Sequence, residues 1–320
     1  YTGTIGISCI NTKTNNCTLG LTSWNLPFTE YNFNAATNAL TPGSFNKPAV
    51  YPAAYKNLLV KEVEVKGHDG VMIPLSIIYK KGIKLDGSNT CLLDAYGAYG
   101  SSSIPYFDVR LNALAVKDVV IGIPHVRGGS EKGEAWYKAG YKTTKPNTWK
   151  DFISCAEYMI EKGYTSKEKM AGTGTSAGGI LISRAITERP DLFAAGLFLS
   201  GLPDIVTNRD AAFARESKST GPIDTKEGFY SSYSISSYYQ IPPNRKLPAM
   251  LIVHGATDYI LDLHPAVRYT AKLQQAQKGD RPILLLVNEN SGHSGSENEI
   301  LYMLKFALWQ TGHPDFQLRK

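Results

Sequence analysis

The sequence predicts an α/β fold: a mostly parallel, doubly wound sheet preceded by a short N-terminal β segment. Three observations carry this. From Leu58 onward, strand-like runs alternate with helix-like stretches, the order of a parallel sheet with helices on both faces. Several runs, such as Val119 to Val126 and Phe193 to Ser200, are almost wholly apolar, as strands buried on both faces are. Residues 1 to 58 are different: rich in Thr, Asn, Tyr and Ser, with no helical period.

Within that first segment, Thr4 to Ile10, Thr18 to Trp24 and Glu30 to Asn34 read as short strands separated by Asn-Asn, Pro-Gly and Asn-Lys-Pro turns. It is too short to build a core of its own. Leu59 to Val65 and Val71 to Tyr79 alternate around Gly67-His68-Asp69-Gly70, a hairpin signal. Thr90 to Ala95 and Val119 to Val126 read as strands, with a short helix at Leu111 to Ala115 between them. Phe152, Ile153, Ala156, Met159 and Ile160 form a helical stripe between Trp149 and Lys162. Later strands are expected at 193–200, 249–254 and 282–287, and helices at 180–188, 265–277 and 297–309. Residues 203 to 247 read as a loop-rich insertion. The domain division is therefore 1–58 and 59–320.

Bulk properties exclude several classes. The 320 residues carry 42% hydrophobic and 19% charged side chains, ordinary for a globular protein. No apolar run is long enough for a membrane span. The net charge of +6 comes from scattered basic residues without interleaved aromatics, so no nucleic-acid partner is expected. No Cys/His spacing suits a metal, and no cofactor motif stands out. Cys91 and Cys155 sit in apolar contexts and are expected to be buried; the turn-rich spacing of Cys9 and Cys17 allows a disulfide. With Tyr1 first and no leader in view, the chain is expected to be a processed or truncated product.

The chemistry centres on Gly174-Thr175-Ser176-Ala177-Gly178, between an expected strand and an expected helix. In that setting Gly-x-Ser-x-Gly is the nucleophile elbow of α/β-hydrolases. Glycines flank the serine because a side chain at either would collide with the neighbouring strand or helix. Asp258 follows the strand ending at His254, and His293 follows the strand ending at Val287. The order Ser176, Asp258, His293 is that of an α/β-hydrolase triad, each member in a loop just past a strand. His293 would take the serine proton, and Asp258 would fix the imidazole. Asp262 is a rival acid standing farther from its strand, and His254 suits a structural role at a strand end.

Together these residues resemble the catalytic domain of the prolyl oligopeptidase family of serine peptidases, from about Leu58 to the C-terminus. The likeness rests on Asp69-Gly70 with Ile73-Pro74; on Tyr96-Gly97-Ala98-Tyr99-Gly100; on Val126-Arg127-Gly128-Gly129-Ser130-Glu131 with Gly133 and Trp136; on the elbow; on Arg189-Pro190-Asp191; and on His254-Gly255 and Gly292-His293. The resemblance implies a serine peptidase acting on short peptides without a cofactor. It implies that the Tyr96 hydroxyl and the Ala177 N–H bind the oxyanion. It also implies a β-propeller on the rest of a longer parent chain, with residues 1 to 58 as its last strands.

The chain departs from the pattern where substrate is held. Proline-specific members have an arginine two residues past the catalytic aspartate; here that position is Ile260. The pocket-forming region 208–222 offers only Phe213 for the proline pocket and Glu216 for a basic one. The residues therefore do not license proline specificity. A carboxylesterase on the same triad, and an inactive scaffold that keeps the fold, are the alternative readings. For Arg127, a structural ion pair is preferred over a catalytic role.

Overall fold

The computed structural model describes residues 2–9, 11–43, 50–207, 220–221 and 223–317. Two compact units divide the chain, and neither is one continuous stretch. The first comprises Tyr1–Lys61, Ile77–Ile83 and Ile104–Val119; the second comprises Glu62–Ser76, Lys84–Ser103 and Val120–Lys320.

The first unit holds a four-stranded antiparallel meander of β1 (Thr4–Ser8), β2 (Asn16–Thr22), β3 (Thr29–Asn34) and β4 (Ala39–Pro42). The fourth strand is an addition to the expected three; its four residues, ending in proline, look like turn chemistry in sequence. The meander buries little of itself: Ile5 and Ile7 are 62% and 69% exposed, and its strands contribute no fully buried side chain. Trp24, just past β2, is buried, and its carbonyl accepts a 2.8 Å hydrogen bond from the Asn112 amide. Ser8↔Thr18 is the last rung between β1 and β2, with Cys9 and Cys17 just beyond it. Both are free thiols, so the disulfide that the spacing allows is not formed in this structure; Cys91 and Cys155 are buried as expected.

The large sheet has eight strands in the order β12-β11-β10-β9-β7-β8-β6-β5. Their ranges are β5 (Leu58–Lys66), β6 (Met72–Lys80), β7 (Cys91–Asp94), β8 (Val120–Pro124), β9 (Met170–Thr175), β10 (Ala195–Leu199), β11 (Ala249–Gly255) and β12 (Ile283–Asn288). The pairings from β12 through β8 are all parallel. The α-helices among the described residues are α1 (Val109–Val116), α2 (Glu134–Lys138), α3 (Pro146–Glu161), α4 (Gly178–Glu188), α5 (Lys226–Ile235), α6 (Ser237–Gln240), α7 (His264–Ala276) and α8 (Glu297–Gln310). This is the α/β-hydrolase architecture expected, with most ends within one or two residues. Helix α2 escapes the sequence reading because five residues cannot display a period. Helices α5 and α6 fall inside the loop-rich insertion.

Two features of this sheet position the site. Strands β8, β10 and β11 are buried at every residue, which the hydrophobic effect favours strongly enough to fix their register. The strand order also reverses at β7, whose neighbours are β8 on one side and β9 on the other. Loops leaving the carboxyl ends of β7 and β9 therefore diverge and leave a crevice.

Behind that crevice, Arg127 is an internal strut. It is 3% exposed, and its guanidinium donates to both carboxylate oxygens of Asp151, at 2.8 and 2.6 Å, and to Asp69 at 2.5 Å. Its own N–H donates to Asp151 as well. Burial alone would pull the guanidinium below its ordinary range, but the two carboxylates outweigh it and hold it above that range. The structural ion pair read from the sequence is the role the contacts bear out. Removing one partner of a buried pair leaves the other charge uncompensated, so Asp151→Ala is expected to cost about 3–5 kcal/mol. Urea unfolding of the two proteins at neutral pH measures this; a loss below about 1 kcal/mol would contradict the strut.

Candidate active site

Ser176 stands at the turn from β9 into α4 with φ of 55°, a left-handed conformation costly for a non-glycine residue. The surrounding backbone forces it. A Cβ at Gly174 would lie 2.8 Å from the Gly178 carbonyl oxygen and 3.1 Å from that of Ala95; one at Gly178 would lie 2.8 Å from the Ala95 oxygen. The two glycines thus let the elbow press against the end of β7, as their spacing implies. Ser176 N–H is tied to the Leu199 carbonyl at 2.9 Å, anchoring the turn to β10.

The structure brings the three polar candidates together. His293 Nε2 is 2.9 Å from Ser176 Oγ, and its Nδ1 is 2.8 Å from Asp258 Oδ2. The His293 side chain is 17% exposed and that of Asp258 only 1%. Burial pushes the Asp258 carboxyl up, but the Leu261 N–H, the His293 ring and the Ile260 N–H outweigh it and hold the group below the ordinary carboxylate range. Those two N–H groups bind Oδ1 at 3.0 and 2.8 Å, leaving Oδ2 for the imidazole. An ionised Asp258 accepting from Nδ1–H leaves Nε2 as the acceptor facing the serine.

The rival acid is elsewhere: Asp262 is exposed and accepts from the His264 N–H. His254 is fully buried, 3.1 Å from the Leu261 carbonyl and 3.6 Å from Asp258 Oδ2. It braces the turn that holds Asp258, the structural role its strand-end position suggests. Ile260 is half-buried beside Asp258, and Tyr259 is 88% exposed. Phe213 and Glu216 lie outside the described residues.

Tyr96 and Ala177 both face the start of α4. Ala177 is its N-cap residue, where helix N–H groups lack intrahelical partners. The Tyr96 Cα and ring lie 3.4 and 3.6 Å from where a Gly178 Cβ would sit, so the loop after β7 covers the elbow.

One residue of this loop's support went unread. Lys145 is 1% exposed, and its ammonium donates a 2.7 Å hydrogen bond to the carbonyl of Gly97, next to Tyr96. Burial pushes Lys145 down to about 7. In sequence it sits in Lys-Thr-Thr-Lys-Pro, which reads as a solvated run before a helix.

A profile of the prolyl oligopeptidase family matches residues 105–312. A prolyl endopeptidase from Elizabethkingia meningoseptica is 33% identical over 301 residues, covering 91% of this chain and 42% of the relative. Dipeptidyl aminopeptidase BI from Pseudoxanthomonas mexicana is 30% identical over 91% of this chain and 41% of its own length. A solved structure from a study of two prolyl endopeptidases superposes with a TM-score of 0.88 at 25% identity, covering 98% of this chain and 46% of that one. The chain thus spans less than half the length of these relatives.

The buried lysine makes stability depend on pH in a defined direction. Between about pH 7 and the ordinary lysine value, the unfolded chain holds a proton that the folded one lacks, so stability from this site rises with pH across that window. The urea midpoint of the unsubstituted protein is expected to climb relative to Lys145→Met between about pH 7 and about pH 9. Parallel curves for the two proteins would contradict it.

Proposed function

Because the chain belongs to the prolyl oligopeptidase family, we propose that it carries the active site of a serine peptidase that hydrolyses short peptides through an acyl-enzyme. The observation that carries this reading is the hydrogen-bond run from Ser176 through His293 to Asp258, at 2.9 and 2.8 Å. Ser176 Oγ attacks the peptide carbonyl carbon while His293 Nε2 takes its proton. The negative charge that develops on the carbonyl oxygen is met by the Ala177 N–H and the Tyr96 hydroxyl, a donor pair aimed at the transition state. The C–N bond then breaks, and the imidazolium gives its proton to the departing amine. Water, deprotonated by the same imidazole, releases the acid and restores the serine. Asp258, ionised throughout, stabilises the imidazolium.

The substrate's identity lies with groups outside this run. In the proposed whole protein, a β-propeller from the rest of a longer parent chain restricts access to short peptides, and residues 1–58 are its last strands. The share of each relative left unmatched supports this. Ile260, standing where proline-specific members place an arginine, favours a second reading: a carboxylesterase on the same residues, since an ester needs less help at its leaving group.

A serine-directed fluorophosphonate, a peptide 4-nitroanilide and a 4-nitrophenyl ester separate these readings when applied to this chain and to its longer parent. Labelling is expected at Ser176 and is lost in Ser176→Ala. Asp258→Asn is expected to lower kcat roughly 10⁴-fold by presenting the wrong imidazole tautomer, and Tyr96→Phe about 10²- to 10³-fold by removing one oxyanion donor. Turnover of the ester alone would sink the peptidase reading, and an unlabelled Ser176 in the folded parent would favour an inactive scaffold.

A further inference from the structure

We infer that Glu299 is a positioning residue that locks the loop bearing His293 against the loop bearing Asp258; this rests on reading Ser176, His293 and Asp258 as the reacting set. Glu299 lies in the first turn of α8, is 2% exposed, and accepts from three groups. Its Oε2 receives the Ser296 N–H at 2.6 Å and the Asn288 amide at 3.1 Å, and its Oε1 receives the Ser291 hydroxyl at 2.9 Å. Residues 288, 291 and 296 are the two ends and the near side of the segment carrying His293. Burial pushes the Glu299 carboxyl up, but these donors outweigh it and keep it below the ordinary range.

Two of the held residues also grip the other loop. The Ser291 carbonyl accepts from both the N–H and the hydroxyl of Thr257, at 3.1 and 2.8 Å, and the Asn288 carbonyl accepts from the Ala256 N–H at 2.8 Å. Thr257 precedes Asp258. The two loops also meet backbone to backbone: a Cβ at Gly255 would lie 2.2 Å from the Ser291 oxygen and 2.6 Å from that of Gly292. A continuous path of bonds therefore runs from Glu299 through Ser291 and Thr257 to Asp258, and the Asp258–His293 bond closes it.

Capping the helix needs less. Ser296 and Glu299 form a capping box using the Ser296 hydroxyl and Oε2. Oε1 and Ser291 lie outside that motif, so capping and positioning can be separated.

The test uses the full chain and the limiting rate and half-saturation concentration of fluorophosphonate inactivation. Ser291→Ala removes the hydroxyl that Glu299 Oε1 holds and keeps the cap; it is expected to lower the limiting rate at least about tenfold with half-saturation changed less than about twofold. Ser296→Ala loses the cap hydroxyl and is expected to keep the rate within about twofold. Adding Ser291→Ala to Glu299→Ala is expected to cost nothing further, because both break one path. A Ser291→Ala rate equal to the unsubstituted protein's, or an equal loss in Ser296→Ala, would overturn the role of Glu299 while leaving Ser176 chemistry intact. If the unsubstituted protein is not labelled at Ser176, the underlying reading fails and this inference with it. Should Glu299→Ala not fold, the comparison of Ser291→Ala with Ser296→Ala still decides.

Discussion

The close approach of the Ala95 carbonyl to the backbone of Gly174 and Gly178 is the constraint on which the site depends. It fixes how far the end of β7 stands from the turn after β9. With that distance set, Ser176 must take its left-handed conformation, α4 must start directly beneath it, and the Tyr96 loop must pass over the helix start. A single methyl group at either glycine would meet backbone, which cannot rotate away as a side-chain tip can. The loops after β11 and β12 then need only deliver an acid and a base to a point already fixed.

The chain handles its buried charges in two ways near this point. Arg127 is compensated from two sides and remains ionised, at the cost of burying Asp151 with it. Lys145 has a carbonyl as its bonded partner, and burial pulls its hold on the proton down to about 7 instead. Both solutions stiffen the backbone around Gly97 and Arg127: the Lys145 ammonium holds the Gly97 carbonyl, and Thr148 holds the Arg127 carbonyl at 2.8 Å. Rigidity there suits the oxyanion role proposed for Tyr96, because such a donor stabilises charge only when it is already in place.

Much of this was legible because parallel sheets write their sites in a regular place. Ser176, Asp258 and His293 each follow an apolar run by a few residues, so order and position together single them out. The proposed oxyanion pair depends on family likeness, since nothing in Tyr-Gly-Ala-Tyr-Gly distinguishes Tyr96 from Tyr99. What stayed hidden has no local signature. Lys145 is held by Gly97, 48 residues away, while its own run is polar; Glu299 shows only as the last residue of a Ser-x-x-Glu cap, and its bond to Ser291 lies beyond that motif. Helix α2 and strand β4 are too short for a period to repeat often enough to reveal them.

The Ser176–His293 hydrogen bond joins residues 117 positions apart, and between them the chain must add β10, β11 and β12 to one side of the sheet. During synthesis the serine therefore emerges long before His293 can reach it. The elbow's glycines press on the end of β7 and its turn is tied to β10, yet His293 joins Ser176 only when the sheet has also gained β11 and β12. The Ser176–His293 bond is in this sense a late product of topology: the order of strands along the chain leaves it to form when the fold that confines Ser176 is nearly built.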